Sequence, residues 1–134
     1  MIVVQSCYAL ALGSNMRHAI VRSRPVGPSR RTYANAAALV ETRYGPQRLL
    51  KRLKKIERQF GRRHGARWSA RTLDLDIVLW SDGAWAAPEL SVPHRAFRHR
   101  AFVLDPLATL VPRWRDPLTG LTVRHLKARL DRRR

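Results

Sequence analysis

Asp74 and Asp76 stand in the run Arg67-Trp68-Ser69-Ala70-Arg71-Thr72-Leu73-Asp74-Leu75-Asp76-Ile77-Val78-Leu79-Trp80. From Thr72 this run alternates as a β-strand does. Leu73, Leu75, Ile77 and Leu79 take one face, and Thr72, Asp74, Asp76, Val78 and Trp80 take the other. The two carboxylates therefore share a face, rooted about 7 Å apart by the strand rise. At that spacing they repel each other unless a cation sits between them. Oxygen ligands of this kind suit Mg²⁺, which takes one or two carboxylates together with phosphate oxygens from a substrate. Arg67 and Arg71 offer guanidinium groups for phosphate, and Trp68 offers a flat ring for a base. Together they would make a nucleotide site. The plainer alternative is a pair of solvated acids on an open sheet face. The chain holds only nine Asp and Glu, and it places two of them side by side in its best strand.

Those residues need a scaffold, and 134 residues supply one domain with a real core but not two. A 45% hydrophobic content excludes a disordered chain. The formal charge is +18, carried by 23 Arg and 4 Lys. Such a surplus favours polyanionic partners, whether nucleic acid, nucleotide or anionic membrane. The Arg residues are spread along the whole chain, so the charge marks no site by itself. The single Cys7 excludes an intrachain disulfide and reads as a buried thiol acting as a small hydrophobe. No signal-peptide pattern opens the chain, and no apolar run approaches the ~20 residues that span a bilayer. The expectation is a cytoplasmic protein.

Val3 to Leu12 reads as a buried strand, stopped by Gly13-Ser14-Asn15, where glycine lets the backbone turn or approach a ligand. Ala19-Ile20-Val21 is short and extended, Pro25-Val26-Gly27-Pro28 is a loop, and Ala36 to Thr42 is a strand. Pro46 opens a helix whose apolar stripe is Leu49, Leu50, Leu53, Ile56 and Phe60, with Gly61 as its C-terminal cap. Arg62-Arg63-His64-Gly65 then forms a basic loop. After the Asp-bearing strand come a turn at Ser81-Asp82-Gly83 and an extended piece over Leu90-His94. A helix over Arg95-Leu110 follows, interrupted at Pro106. The last element is a helix capped by Thr122, with Val123, Leu126 and Leu130 on one face. Strands and helices mix irregularly without repeats, which predicts an α+β sandwich with helices packed on one sheet.

Taken in order, Ala11-Leu12-Gly13-Ser14-Asn15, Pro25-Val26-Gly27, Tyr33-Ala34-Asn35-Ala36, Arg67-Trp68 with Arg71-Thr72-Leu73-Asp74-Leu75-Asp76, Val92-Pro93-His94 and Arg100-Ala101-Phe102-Val103-Leu104 form a specific set. From about Tyr8 to the C-terminus, the chain resembles the 6-hydroxymethyl-7,8-dihydropterin pyrophosphokinase family, folate-pathway enzymes that move a diphosphate from ATP to a pterin alcohol. The resemblance implies a ferredoxin-like α+β fold with an antiparallel or mixed sheet. It implies that Asp74 and Asp76 hold two Mg²⁺ ions bridging the triphosphate, and that Arg62 and Arg71 serve the transfer beside them. Toward ATP it points to Glu57, Arg62, Arg71, Ser91, His94 and Arg100. Arg62 and Arg63 fall in the loop that closes over ATP in this family. Toward the pterin it points to Asn35, to the rings of Tyr33, Trp68 and Phe102, and to the backbone at Val26 and Gly27. The partners implied are these two small molecules, with a monomer or homodimer and no membrane. Two other readings are a nucleotide-binding relative that has lost pterin transfer and a basic α+β nucleic-acid-binding module. The latter lacks any RNA-recognition signature of the Arg/Lys-Gly-Phe type.

The sequence departs from the family pattern in places. Ser69-Ala70 replaces Gly-Pro, Lys54 replaces a Gln, Ser91 a Thr and His64 an Arg. The largest departure is a deletion. Family members carry a full helix between the Gly-Ser-Asn turn and the second strand, whereas only Met16-Arg17-His18 separate Asn15 from Ala19. Three residues reach about 11 Å, and a parallel crossover must run back along some 17–20 Å of strand. The expectation is that Ala19-Arg24 does not take the second-strand place parallel to the first strand, but folds back as a short arm or crosses as a loop. The loss of the helix predicts lower stability, or a dimer that covers the exposed surface.

Overall fold

The computed structural model describes residues 4–14, 22–23, 33–63 and 73–134. In chain order the elements are β1 (Ser6–Ser14), β2 (Arg22–Ser23), β3 (Tyr33–Thr42), α1 (Pro46–Arg63), β4 (Leu73–Trp80), β5 (Trp85–Ala87), β6 (Leu90–Val92), a 3-10 turn (Phe97–His99), α2 (Ala101–Leu110) and α3 (Val123–Asp131). The main sheet runs β2-β3-β1-β4 with antiparallel neighbours throughout, and β5 and β6 form a separate hairpin. This is an α+β architecture with helices on both faces of an antiparallel sheet.

Two apolar layers fix the sheet between its helices. On one face Tyr8 and Leu10 of β1 and Leu75 and Ile77 of β4 meet Leu49 and Leu53 of α1 and Val92 of β6. On the other, Ala9, Val78 and Leu79 meet Phe97, Val103, Leu104, Leu107, Val123 and Leu126. The α1 stripe is thus real at Leu49 and Leu53, while Ile56 is 44% exposed. Thr122 caps α3 by accepting the His125 N–H, and Val123, Leu126 and Leu130 all pack inward, as their spacing predicts. Cys7 is half-buried rather than buried, and burial followed by the nearby Glu41 charge raises its thiol pKa.

Four expectations are corrected. β1 continues through Gly13 and Ser14 instead of stopping before them, because β3 and β4 pair with both residues. α1 runs through Gly61 to Arg63, so Gly61 is helical and not a cap, and Arg62 and Arg63 belong to the helix rather than to a loop. α2 passes through Pro106 without interruption. Proline removes only the bond to the carbonyl four residues back, and the buried Leu104 and Leu107 hold the helix to the core on either side. Residues 95–100 form a tight turn rather than the start of that helix.

A further correction concerns the shortened segment. Arg22 and Ser23 pair antiparallel with Ala34 and Tyr33 of β3, which is itself antiparallel to β1. β2 therefore runs in the direction of β1 in the same sheet, contrary to expectation. The register gives the reason. Ala34 pairs with Ser14 on one side and with Arg22 on the other, so Arg22 lies level with the end of β1. Residues 15–21 need only step sideways by two strand spacings, about 10 Å, and no run back along the sheet is required. The second strand is kept, with Arg22 and Ser23 as its described residues. The rest of the predicted arm, Ala19–Val21 and Arg24, lies outside the described residues.

Candidate active site

β1 is the middle strand, and its last residues form a floor between β3 and β4. Gly13 pairs with Asn35 on one side and with Asp74 on the other; Ala11 pairs with Ala37 and with Asp76. Directly opposed residues point to the same face. Asn35, Gly13 and Asp74 therefore form one row across three strands, with Asp76 in the next row. A Cβ built on Gly13 would lie 3.8 Å from the Asn35 Oδ1 and 3.9 Å from the Asp74 Cβ. The structure thus brings together Asn35 and the two carboxylates, which the sequence separates by some forty positions.

Asp74 is exposed and Asp76 half-buried. Partial burial raises the Asp74 carboxyl above the usual carboxylate range, with further push from Asp76 and Glu57 and a small opposing pull from Lys54. Among the described residues, Asp74, Asp76 and Glu57 thus bring negative charge together here, with Lys54 opposing it. Among the described residues no group of three His, Cys, Asp or Glu is set to enclose a metal. Two carboxylates without a closed cage fit a hard cation that completes its shell from a substrate, as Mg²⁺ does.

A register shift in β4 supplies the next group. Ala9 pairs with Leu79, but Leu10 pairs with Ile77, leaving Val78 as an extra residue. The Val78 carbonyl accepts the His94 N–H at 3.0 Å, fastening His94 beside the Asp-bearing strand. The shift also turns Leu79 to the α2 side and Trp80 to the α1 side, so the expected alternation holds only as far as Val78. Burial, aided by the Arg100 charge and opposed by that of Asp76, lowers the His94 pKa. Its Nδ1 accepts the Ala96 N–H at 3.1 Å, so the neutral ring carries its proton on Nε2 and presents a donor. Arg100 sits at the N-cap of α2, its guanidinium carbon 5.7 Å from the centre of the Phe102 ring, and Phe102 is 37% exposed.

Glu57 does something that its motif position did not reveal. Its Oε1 accepts the Leu75 N–H at 2.8 Å, between the two aspartates, and its Oε2 lies 3.4 Å from Lys54 Nζ. β4 is an edge strand, and Glu57 ties that edge to α1. Ser91 lies on β6 three residues before His94, half-buried. Arg62 is in the last turn of α1 and Tyr33 opens β3, each described by its backbone. Arg71, Trp68, Val26 and Gly27 lie outside the described residues.

Sequence reasoning missed a second support. Asp116 is fully buried and receives the Arg98 guanidinium through both oxygens, the Nη2 contact being 2.8 Å, with the Leu118 N–H at 3.0 Å and the Thr119 hydroxyl at 2.8 Å. Arg98 belongs to the 3-10 turn between His94 and Arg100, so this network fixes the segment that carries both. No local motif marks it, because the partners are eighteen residues apart.

The comparisons agree with this geometry. The model of the 7,8-dihydro-6-hydroxymethylpterin-pyrophosphokinase family matches residues 16–112, beginning just after β1. A 2-amino-4-hydroxy-6-hydroxymethyldihydropteridine pyrophosphokinase of Synechocystis sp. is 38% identical over 110 residues, 82% of this chain and 56% of the relative. Its namesake in Pseudomonas aeruginosa is 44% identical over 96 residues, 71% of this chain and 59% of the relative. That of Methylorubrum extorquens is 36% identical over 116 residues, 86% and 72% of the two chains. The chain thus spans little more than half the length of the first two relatives. With the family model covering most of it, the chain belongs to the 7,8-dihydro-6-hydroxymethylpterin-pyrophosphokinase family.

Proposed function

We propose that this chain, acting as a single domain in the cytoplasm, transfers a diphosphate from ATP to 6-hydroxymethyl-7,8-dihydropterin, giving AMP and the pterin diphosphate. The observation that carries this reading is the row Asn35-Gly13-Asp74. It sets side by side on one floor an amide that would suit the pterin edge and a carboxylate that would suit a metal ion.

In the transfer, the pterin hydroxyl oxygen forms a bond to the β-phosphorus. The bond from that phosphorus to the oxygen bridging to the α-phosphate breaks, AMP leaves with the electron pair, and the hydroxyl proton is released. Such a reaction is accelerated mainly by positioning and charge neutralisation. Asp74 and Asp76 would hold two Mg²⁺ ions, which when bound would neutralise the triphosphate and polarise its phosphoryl oxygens. The His94 Nε2–H and the Arg100 guanidinium would donate to phosphate oxygens, and Arg62 and Arg71 would add positive charge. Asn35 both donates and accepts, so its amide suits the edge of a pterin, and the Phe102, Tyr33 and Trp68 rings suit its flat face. Val26 and Gly27 would add backbone contacts, and Ser91 and Glu57 would line the nucleotide side.

The test is AMP formation from MgATP with and without 6-hydroxymethyl-7,8-dihydropterin. AMP should appear only with the pterin, and Asp74→Ala should lower the rate by about 10²-fold or more. A folded protein that binds MgATP and yields no AMP would instead favour a nucleotide-binding relative without pterin transfer. The short link of Met16-Arg17-His18 between Asn15 and Ala19, where the family carries a full helix, is the sequence feature that makes this second reading specific.

A further inference from the structure

α1 has one acidic residue, Glu57, and it is turned inward to β4, where it accepts the Leu75 N–H. The outer side of the helix is cationic. At about 100° per residue, Arg48, Lys51, Arg52, Lys55 and Arg58 fall within a stripe about 120° wide, and all five are exposed. The stripe lies opposite Leu49 and Leu53, which are buried against the sheet. Spacings of three and four residues set Arg48 against Lys51 and Arg52, Lys51 against Lys55, and Lys55 against Arg52 and Arg58. Like charges at these spacings oppose the helix that carries them. Among the described residues none of the five has an acidic partner, while Lys54, at the margin of the stripe, takes Glu57. A generally Arg-rich composition does not account for this. The 23 Arg run from end to end of the chain, but of the 4 Lys three, Lys51, Lys54 and Lys55, stand together on this helix.

We infer that the outer face of α1 is a docking surface for duplex DNA, held through its phosphates without regard to base sequence. Charge complementarity calls for a polyanion, and the geometry selects among them. From Arg48 to Arg58 the helix runs about 15 Å, and a DNA duplex presents about nine phosphates over that length, more than enough for five cations. The major groove of DNA is about as wide as a helix with its side chains, whereas that of an RNA duplex is too narrow to admit one. Single strands are held by stacking on exposed rings, and the one ring of α1, Phe60, is half-buried. A membrane surface needs an apolar face to insert, and that of α1 is packed on the sheet. Lys51, Arg52 and Lys55 project away from Glu57 and β4, so this role is separate from the proposed transfer.

The experiment titrates the full chain into a fluorescein-labelled DNA duplex of about 20 base pairs and arbitrary sequence, reading anisotropy between about 50 and 200 mM salt. Two variants each lose three charges. One is Lys51→Gln/Arg52→Gln/Lys55→Gln on α1; the other is Arg124→Gln/Arg129→Gln/Arg133→Gln at α3, where all three residues are also exposed. Glutamine keeps the helix propensity, and relief of like-charge repulsion should hold the α1 variant at or above the wild-type melting temperature. The slope of log affinity against log salt should be about −4.5 for wild type, from five phosphate contacts, and about −2 for the α1 variant. The α3 variant should keep the wild-type slope. Equal losses in the two variants would overturn the inference, by showing that net charge alone binds DNA. A wild type that leaves the duplex free at about 50 mM salt would overturn it too. So would tighter binding to single-stranded RNA than to the duplex, or binding to phosphatidylglycerol vesicles without binding to DNA.

Discussion

Asp116 shows how far the site depends on a residue remote from it. With no solvent exposure, its carboxylate is tolerable only because Arg98, the Leu118 N–H and Thr119 together satisfy both oxygens. Burial alone would raise its pKa, but those hydrogen bonds and the Arg98 charge outweigh it and hold the group below the usual value of 3.8. A carboxylate with a lowered folded pKa contributes stability above the unfolded value, and that contribution is lost as pH falls through the folded value. Asp116→Asn should therefore cost about 3 kcal/mol at pH 7, the lower end for a broken buried pair because Arg98 keeps some solvent contact. Urea titrations of both proteins at descending pH are the check: the gap should narrow below pH 3.8. An equal gap at neutral and strongly acid pH would mean that shape, not charge, makes Asp116 necessary. By contrast, the Asp74 and Asp76 pair was legible because strand alternation puts neighbours two apart on one face, which is local information. Nothing local tells a reader that Arg98 will meet Asp116.

Among the elements, those with a strong period were readable and those decided by a partner were not. The α1 stripe and the Thr122 cap follow from spacing and hydrogen-bonding chemistry within a few residues. The extra residue at Val78 does not, because only pairing with β1 creates it, and its free carbonyl then sets the position of His94. The same holds for β2, whose place is fixed by the register of β3 rather than by the length of the linker. Gly61 misleads for another reason. Gly after an apolar stripe usually marks a helix end, yet α1 continues two residues beyond it. Gly61 does not have positive φ, and a Cβ there would meet nothing within 4 Å. Gly61→Ala should therefore stabilise the protein by about 0.5–1 kcal/mol through helix propensity, toward the lower figure so near the helix end. Equilibrium unfolding measures this directly. A loss of stability would show that α1 needs a break at this position.

For the whole molecule, the edge of the sheet at β3 matters most. β3 is ten residues long, yet among the described residues only Tyr33 and Ala34 are paired on that side, by Ser23 and Arg22. From Asn35 to Thr42 the edge Asn-Ala-Ala-Ala-Leu-Val-Glu-Thr carries a single charge, and Ala36 and Leu39 are exposed on its two faces. A long, flat, weakly charged edge is a template for another strand. On the α1 face this strand carries Ala34, Ala36, Ala38 and Val40, which present little apolar area but also little bulk to keep a second chain away. The expected outcome is a homodimer joined edge to edge through β3, in equilibrium with a monomer of low stability. Light scattering across a concentration series should show the mass rising toward twice that of the chain. Ala36→Lys should shift it back to monomer, because a two-fold pairing brings the new charges toward each other. A protein that stays monomeric at every concentration and melts in the range of ordinary domains would show that β3 is protected by some other part of the chain. Concentration-dependent mass that Ala36→Lys leaves unchanged would move the contact to a different face.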